Sequence, residues 1–449
     1  MRDLLIASIV FGMLPFVLKR PFWGILLSAW LGYMNPHLLC YGFMQSMPVV
    51  QIVAIATLIG MLASKEAKRM VWSRETVVLV IFIMWMGITT TQAFYLEAAV
   101  DQYIKVMKIQ ILTFMALLLL TSREKVDLFV WVIVLSLGFY GVKGGVFTIA
   151  NGGSYRVQGP GGFIGGNNEL ALALIMMIPL MRYLQLQSPS KWIRRGLVCA
   201  MALSAIAAIG TYSRGALLGM TGMLLFFVWR SDRKFVWASA IILFAVLLLP
   251  LMPDTWWERM GTIRTYGEDN SAQGRLTAWT MAWNLAQDRL MGGGFMVALP
   301  FVYAIYAPEA TTSLVAHSIY FQIMGEHGFI GLFLFMLVGV LTWLDAAKLR
   351  RTYAGNADLK WAADLGSMMQ VSMIGFAVTG AFLSMAYFDL PYNVMAISAL
   401  ALRIASREAA KGAAARNEES APSPRPEPAP DRDRYDRAAV THESASVRP

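Results

Sequence analysis

The strongest constraint on this chain is a succession of apolar runs of near bilayer-crossing length, separated by short basic clusters. A spanning helix needs about 20 predominantly apolar residues, with a working range of about 17–25. Runs that meet or approach that length lie at 48–63, 75–93, 103–121, 126–147, 168–186, 196–212, 215–229, 235–252, 317–345, 365–388 and 391–405. Two shorter runs, 4–18 and 22–34, precede them, split by Lys19, Arg20 and Pro21. They form either two short spans or a re-entrant pair. The sequence therefore predicts an all-α polytopic membrane protein with about 12 transmembrane helices. Composition agrees: 57% of residues are hydrophobic and 15% charged, where soluble proteins carry about 25% charged residues. The opening Met1-Arg2-Asp3 and apolar run superficially resemble a signal peptide, but no small-residue cleavage site follows, so the run reads as the first anchor.

Charge sets the orientation. Basic clusters stand at Lys65/Lys68/Arg69/Arg74, Arg123/Lys125, Lys191/Arg194/Arg195, Arg230/Arg233/Lys234 and Lys348/Arg350/Arg351. An even number of spans separates each cluster from the next, which places all of them on one face, and the positive-inside rule makes that face cytoplasmic. The net charge of +10 is thus explained without nucleic acid. The segments left for the periplasm are 93–102, 148–167, the turn at 212–215, the long stretch 253–316 and the turn near Asp389. The tail from about 411 onward is rich in Ala, Pro, Arg and Glu without apolar periodicity, and is expected to be a disordered cytoplasmic extension. Cys40 and Cys199 have neither metal spacing nor a disulfide framework and read as packed small hydrophobes.

Four features gather on the periplasmic side. Tyr212-Ser213-Arg214-Gly215 joins two spans with almost no loop, so Arg214 falls at the membrane surface where a helix begins. A guanidinium beside unpaired helix N–H groups favours an anion; the alternative is an arginine that merely snorkels to the interface. In the 253–316 stretch, Gly274-Arg275-Leu276 opens an amphipathic helix. Leu276, Trp279, Trp283, Ala286 and Leu290 recur at helical spacing, as suits a helix lying in the headgroup layer with Arg275 near lipid phosphates. An ordinary helix capping the bundle fits the pattern equally well.

Ala316-His317-Ser318-Ile319-Tyr320 brings that loop into the next span. A histidine at a water–membrane boundary titrates near neutrality and can serve as a general base, with Tyr320 one turn below to orient it. Glu326 and His327 lie deeper, where ionisable groups are functional candidates, although pairing between helices also explains Glu326. The fourth feature is a glycine-rich loop, Gly152 to Gly166, that runs into a membrane helix with Asn167 or Asn168 as its N-cap. It lacks the Gly-Lys-Ser/Thr ending of a P-loop. No His/Cys cluster has metal-ligand spacing and no Asp-x-Asp pair faces the periplasm, so neutralising an anion there falls to arginine.

Three motifs carry a resemblance: Ser213-Arg214-Gly215-Ala216, Gly274-Arg275-Leu276-Thr277-Ala278-Trp279, and Ala316-His317-Ser318-Ile319-Tyr320 with Gly325-Glu326-His327-Gly328. Together with Arg156-Val157-Gln158-Gly159-Pro160 and Asn168-Glu169-Leu170-Ala171, over roughly residues 140–390, the chain resembles the O-antigen ligase superfamily of integral-membrane glycosyltransferases, most closely the lipopolysaccharide O-antigen ligases. The segment around Asn35-Pro36-His37 further resembles a branch found near exopolysaccharide and exosortase genes. The resemblance implies a catalytic region over 141–390 that includes the 253–316 periplasmic loop. The remainder divides into N-terminal helices over 1–140, a last span with its cytoplasmic end at 391–410, and the 411–449 tail.

The activity implied is transfer of a preassembled glycan from undecaprenyl diphosphate to a hydroxyl of lipid A-core at the periplasmic face of the bacterial inner membrane, by an inverting GT-C enzyme without metal or other cofactor. Arg214, Arg275 and Arg156 would hold the donor diphosphate and His317 would be the base, with Tyr320, Glu326, Asn168 and Trp279 in support. Family members often carry Asn after the histidine, where this chain has Ser318. The same donor chemistry also serves glycan polymerases and protein O-oligosaccharyltransferases, whose acceptors differ through loop shape rather than motif. A lipid-linked glycan transporter is a further alternative, but transporters place charge at the midplane within repeated halves, and no repeat is evident here.

Overall fold

The computed structural model describes residues 1–65, 68–262 and 270–420, and among them every extended regular element is helical. Residues Met1–Ser406 form one compact unit. In chain order the helices are α1 (Arg2–Lys19), α2 (Phe22–Met34), α3 (Val49–Ala63), α4 (Arg74–Thr91), α5 (Leu96–Leu119), α6 (Arg123–Ala150), α7 (Asn167–Gln187) and α8 (Lys191–Gly210). There follow α9 (Arg214–Arg230), α10 (Lys234–Leu248), α11 (Asp254–Gly261), α12 (Asn270–Asp288), α13 (Pro300–Tyr306), α14 (Ile319–Tyr353), α15 (Lys360–Gly380) and α16 (Asp389–Ser420).

Among the described residues, seven helices are long and apolar enough to cross a membrane: α4, α5, α6, α7, α8, α10 with the turn after it, and α14. The protein is thus a multi-pass membrane protein. The sequence count of about 12 also takes in α1, α2, α3, α9, α15 and α16. Of these, α2 and α3 have only 13 and 15 residues, roughly 20–23 Å at 1.5 Å per residue against a core of about 30 Å. The N-terminal pair resolves into two separate helices, broken where Pro21 follows Arg20.

At the centre stands α7, with every side chain from Leu170 to Met177 buried, as expected of a helix apolar all round. Around it pack α6, α8 and α15. The α6–α8 seam is lined by small residues, the means by which membrane helices approach closely: a Cβ on Gly145 would stand 2.2 Å from the Leu203 carbonyl oxygen. By contrast, α10 has no buried residue and leaves its apolar surface for lipid. Cys40 is buried as expected, whereas Cys199 is exposed on α8 and does not pack.

Two expectations about segments change. Helix continues through 411–420, because the Ala/Glu/Lys/Arg composition there has high helix propensity even without an apolar stripe; the rest of the expected tail, 421–449, lies outside the described residues. Among its described residues the 253–316 stretch contains three helices, and α12 does span the amphipathic segment. The face it buries is Ala278, Met281, Ala282, Leu285 and Ala286, packed on α13 and α14, so Ala286 of the expected stripe docks on protein while Leu276 and Trp283 are 40% and 47% exposed. Small residues on one face let α12 dock on protein, leaving larger ones outward.

Within α14 the helix breaks at Gly328, whose φ of 68° lies in the left-handed region. The chain following α12 crosses at this break: a Cβ on Gly328 would lie 2.0 Å from the Leu290 carbonyl oxygen. Gly328→Ala combines that clash with a left-handed conformational cost of about 1–2 kcal/mol. The variant should lose at least about 2 kcal/mol of stability, read as a lowered midpoint of thermal unfolding in detergent.

Candidate functional site

Four arginines converge on one polar cavity of about 190 Å³, lined by Arg156, Arg214, Arg259 and Arg275 together with Asn167, Asn168, Tyr212, Ser213, Gly215, Thr379, Phe382 and Leu383. No carboxylate is among those lining residues. The walls come from six places in the chain: the loop between α6 and α7, the start of α7, the α8–α9 turn, α11, α12, and the end of α15 with the turn beyond it. Like charges gathered in one cleft focus a positive potential, and guanidiniums suit bidentate grip on phosphate oxygens without ever losing their charge. The cavity is therefore built for an anion.

Local structure explains how each arginine is delivered. Ser213 caps α9, its Oγ accepting from the Ala216 N–H at 3.2 Å, so Arg214 stands in the first turn, at the helix end that favours an anion. Its Nη1 donates to Thr262 Oγ1 at 2.7 Å, and Thr262 in turn donates to the Arg259 carbonyl at 2.9 Å. That pair of bonds ties the start of α9 to the end of α11. The α11 helix is seated by buried Trp256 and Met260, with the Trp256 indole N–H donating to the Ile209 carbonyl at 3.1 Å. Arg156 lies over the Tyr212 ring, 5.6 Å from its centroid, and the Tyr212 hydroxyl donates to the Gly153 carbonyl at 2.6 Å. Arg275 is in the second turn of α12.

Asn168 lines the cavity as expected from its position, but neither Asn167 nor Asn168 caps α7. The N-cap is Gly166, because Asn167 turns away to donate from Nδ2 to the Thr211 carbonyl at 2.8 Å, pinning the glycine-rich loop to the α8–α9 turn.

His317 does not line the arginine cavity; it stands beside it. Its backbone has φ 45°, and Tyr212 on the cavity wall has φ 60°. Left-handed non-glycine residues cost free energy and gather at functional sites. Burial holds the His317 imidazole below its usual pKa of 6.5, and the Arg275 guanidinium lowers it further. The ring is therefore neutral at pH 7 and able to accept a proton. Trp279 supports this region: its indole N–H donates to the Ala316 carbonyl at 2.8 Å, and its ring stacks on Phe321 at 4.8 Å and 3°.

Tyr320, expected to orient His317, and Glu326, expected in support of the site, both lie elsewhere. The Tyr320 hydroxyl donates to the Ala377 carbonyl at 2.9 Å, because in the first turn of α14 its side chain faces α15 rather than the loop. Glu326 is buried in a separate network, accepting from the Tyr387 hydroxyl and from the Met296 N–H at 3.4 Å. Among the described residues no group of three or more His, Cys, Asp or Glu could hold a metal ion.

Residues 199–336, which hold Arg214, Arg259, Arg275 and His317, match the family described as O-Antigen ligase. This segment is an O-antigen ligase family domain. Residues 1–189 match a family of unknown function (DUF5935), and no curated protein matches the chain. The arginine cavity draws on both matched segments, since Arg156, Asn167 and Asn168 come from the first and three arginines from the second. Thr379, Phe382 and Leu383 lie beyond either match. The domain over 199–336 supports an O-antigen ligase/polymerase-like glycosyltransferase carried on membrane helices.

Sequence reasoning missed Arg259. The available signal was a short helix whose Trp256 and Met260 share one face, next to which a lone arginine stands. For Phe382 and Leu383 no local signal exists, because only the packing of α15 brings their turn to the cavity.

Proposed function

We propose that this protein transfers a preassembled O-antigen glycan from undecaprenyl diphosphate to a hydroxyl of lipid A-core at the periplasmic face of the inner membrane. The observation that carries the reading is the carboxylate-free lining with four arginines beside a histidine held neutral. As the acceptor oxygen attacks the anomeric carbon, the glycosidic bond to the diphosphate breaks and its electron pair leaves with the phosphate. Arg214, Arg275, Arg156 and Arg259 stabilise that charge from fixed positions. His317 takes the proton of the attacking hydroxyl. A single direct displacement inverts the anomeric carbon. The step draws on arginine for positive charge and requires no metal.

An isoprenoid donor also needs an apolar surface close to the diphosphate site. An apolar cavity of about 300 Å³ fits this need, running between α14 and α15 from Ile319 and Tyr320 down to Phe335, Trp343 and Phe376. Exposed Leu276 and Trp283 on α12 suit a helix half-immersed in headgroups, and we assign α12 as the flap over the donor.

The test is reconstitution in proteoliposomes with undecaprenyl diphosphate–linked glycan and lipid A-core, with the product read by mass spectrometry. Transfer that persists in EDTA is expected, and its abolition would overturn the metal-free step. In cells, a deletion strain should accumulate uncapped lipid A-core. Unchanged lipopolysaccharide together with lost periplasmic glycoprotein would move the acceptor to a protein hydroxyl, and lost glycan chain extension would make the enzyme a polymerase.

A further inference from the structure

The break in α14 holds more than a bent helix. Glu326 lies two turns inside α14, roughly 10 Å along its axis at 1.5 Å per residue, and the left-handed Gly328 interrupts the helical ladder just beyond it. The carbonyls of Gly325, Glu326 and His327 are taken by groups from outside the helix. Gly293 N–H donates to Gly325 at 2.9 Å, Gly294 N–H donates to Glu326 at 2.9 Å, and the Trp85 indole N–H donates to His327 at 2.9 Å. The chain after α12 therefore descends into the bundle and is buried there from Gly292 to Phe295. Irregular backbone at membrane depth is tolerated only inside protein. Gly292 is required at the crossing: φ is 67°, and a Cβ would sit 2.6 Å from the Gly328 nitrogen.

Side chains bind this crossing to two further elements. Glu326 accepts from the Met296 N–H at 3.4 Å, and Met296 itself has a left-handed φ of 62°. The Tyr387 hydroxyl donates to Glu326 and is 2.8 Å from His327 Nε2. The opposite ring nitrogen of His327 lies 2.6 Å from Thr89 Oγ1 on α4. Each arm leads back to the site. The 292–296 loop continues from α12, which carries Arg275. Tyr387 ends the turn whose Phe382 and Leu383 line the arginine cavity. At the head of α14 stands His317.

We propose that Glu326 and Tyr387 are positioning residues for glycosyl transfer: they lock the 292–296 loop and the 381–388 turn onto the break in α14, and so fix Arg275 and the cavity wall relative to His317. This rests on the transfer reading for its catalytic consequence, but the geometry it asserts is measurable without substrate. A displacement of about 1 Å at the reacting centre is enough to cost ~10²-fold in rate.

The experiment follows the His317 imidazole by NMR in nanodiscs with ring-labelled histidine, a tractable spectrum because the chain has only four histidines. The variants are Glu326→Ala, Glu326→Gln and Tyr387→Phe, each also assayed for transfer. In wild type the Arg275 charge contributes to the low titration point of His317. Loosening α12 in Glu326→Ala and Tyr387→Phe should raise that point toward 6.5 and lower kcat about 10²-fold with the donor KM within about twofold. Glu326→Gln keeps an oxygen acceptor for the Met296 N–H and should retain the wild-type titration and most activity. An unchanged His317 titration in folded Tyr387→Phe or Glu326→Ala overturns the proposal, as does a Glu326→Gln variant as impaired as Glu326→Ala. If wild type fails to transfer glycan while the titration shifts appear, the transfer reading fails and the positioning role stands.

Discussion

Replacing Arg214 by alanine should reduce the rate of glycan transfer about 10²–10³-fold, equivalent to ~2.7–4 kcal/mol of transition-state stabilisation for one well-placed donor to a developing anion. Arg275→Ala should cost as much. Both guanidiniums line a cavity that holds two more and no described carboxylate, so charge that develops on a leaving diphosphate meets them without rearrangement. The same geometry makes the loss separable from unfolding. Removing one of four like charges relieves repulsion in the apo protein, against which stands the loss of the 2.7 Å hydrogen bond from Arg214 to Thr262, typically ~0.5–1.5 kcal/mol. Lysine restores charge but not bidentate grip, so Arg214→Lys should recover only part of the rate. The measurement is kcat/KM with reconstituted donor beside the thermal unfolding midpoint of each variant. An Arg214→Ala enzyme within threefold of wild type would remove the diphosphate assignment.

His317→Asn should abolish the general-base contribution, worth about 10²–10⁴-fold. Asparagine is the informative replacement because it tolerates the left-handed backbone that His317 adopts at φ 45°. The pH dependence carries a sign that can be checked. Burial and then Arg275 depress the folded pKa below 6.5, so the neutral, proton-accepting form persists down through 6.5 and activity should fall only below it. Arg275→Gln removes one of those two causes, and the acid limb should move upward toward 6.5 while the plateau drops. Linkage gives stability the same direction. Below 6.5 the unfolded chain binds a proton that the folded site resists, so the folded state loses stability as pH falls from 6.5 to the lower folded value. An acid limb at or above 6.5 in wild type would exclude His317 as the base.

Much of this molecule is legible in its sequence. Apolar run length fixed helix after helix, and the tight Tyr212-Ser213-Arg214-Gly215 connection placed an arginine at a helix start, where Ser213 indeed forms the cap. Arg156, Arg214, Arg275 and Asn168, read from motif order, share one cavity. What failed is instructive. One-turn proximity assigns Tyr320 to His317, yet a side chain in the first turn of a helix points wherever the neighbouring helix offers an acceptor, here Ala377. Apolar spacing on α12 suggests a stripe for the headgroup layer, and Leu276 and Trp283 on it are exposed, but Ala286 of the same stripe docks on protein with Ala278, Met281, Ala282 and Leu285. Periodicity cannot rank two apolar faces, because lipid and protein are both apolar partners.

Sequence by itself determined which segments must be helical and where charge can lie, since backbone hydrogen bonds unsatisfied in lipid and charges buried in it are costly whatever the packing. Only the tertiary structure decided that Arg259 joins the other three arginines, that His317 stands beside the cavity rather than within it, and that the chain after α12 drops into the broken α14. Those outcomes depend on contacts between residues far apart in the chain. Steric fit at Gly292 and Gly328 selects them, and no local pattern encodes that fit.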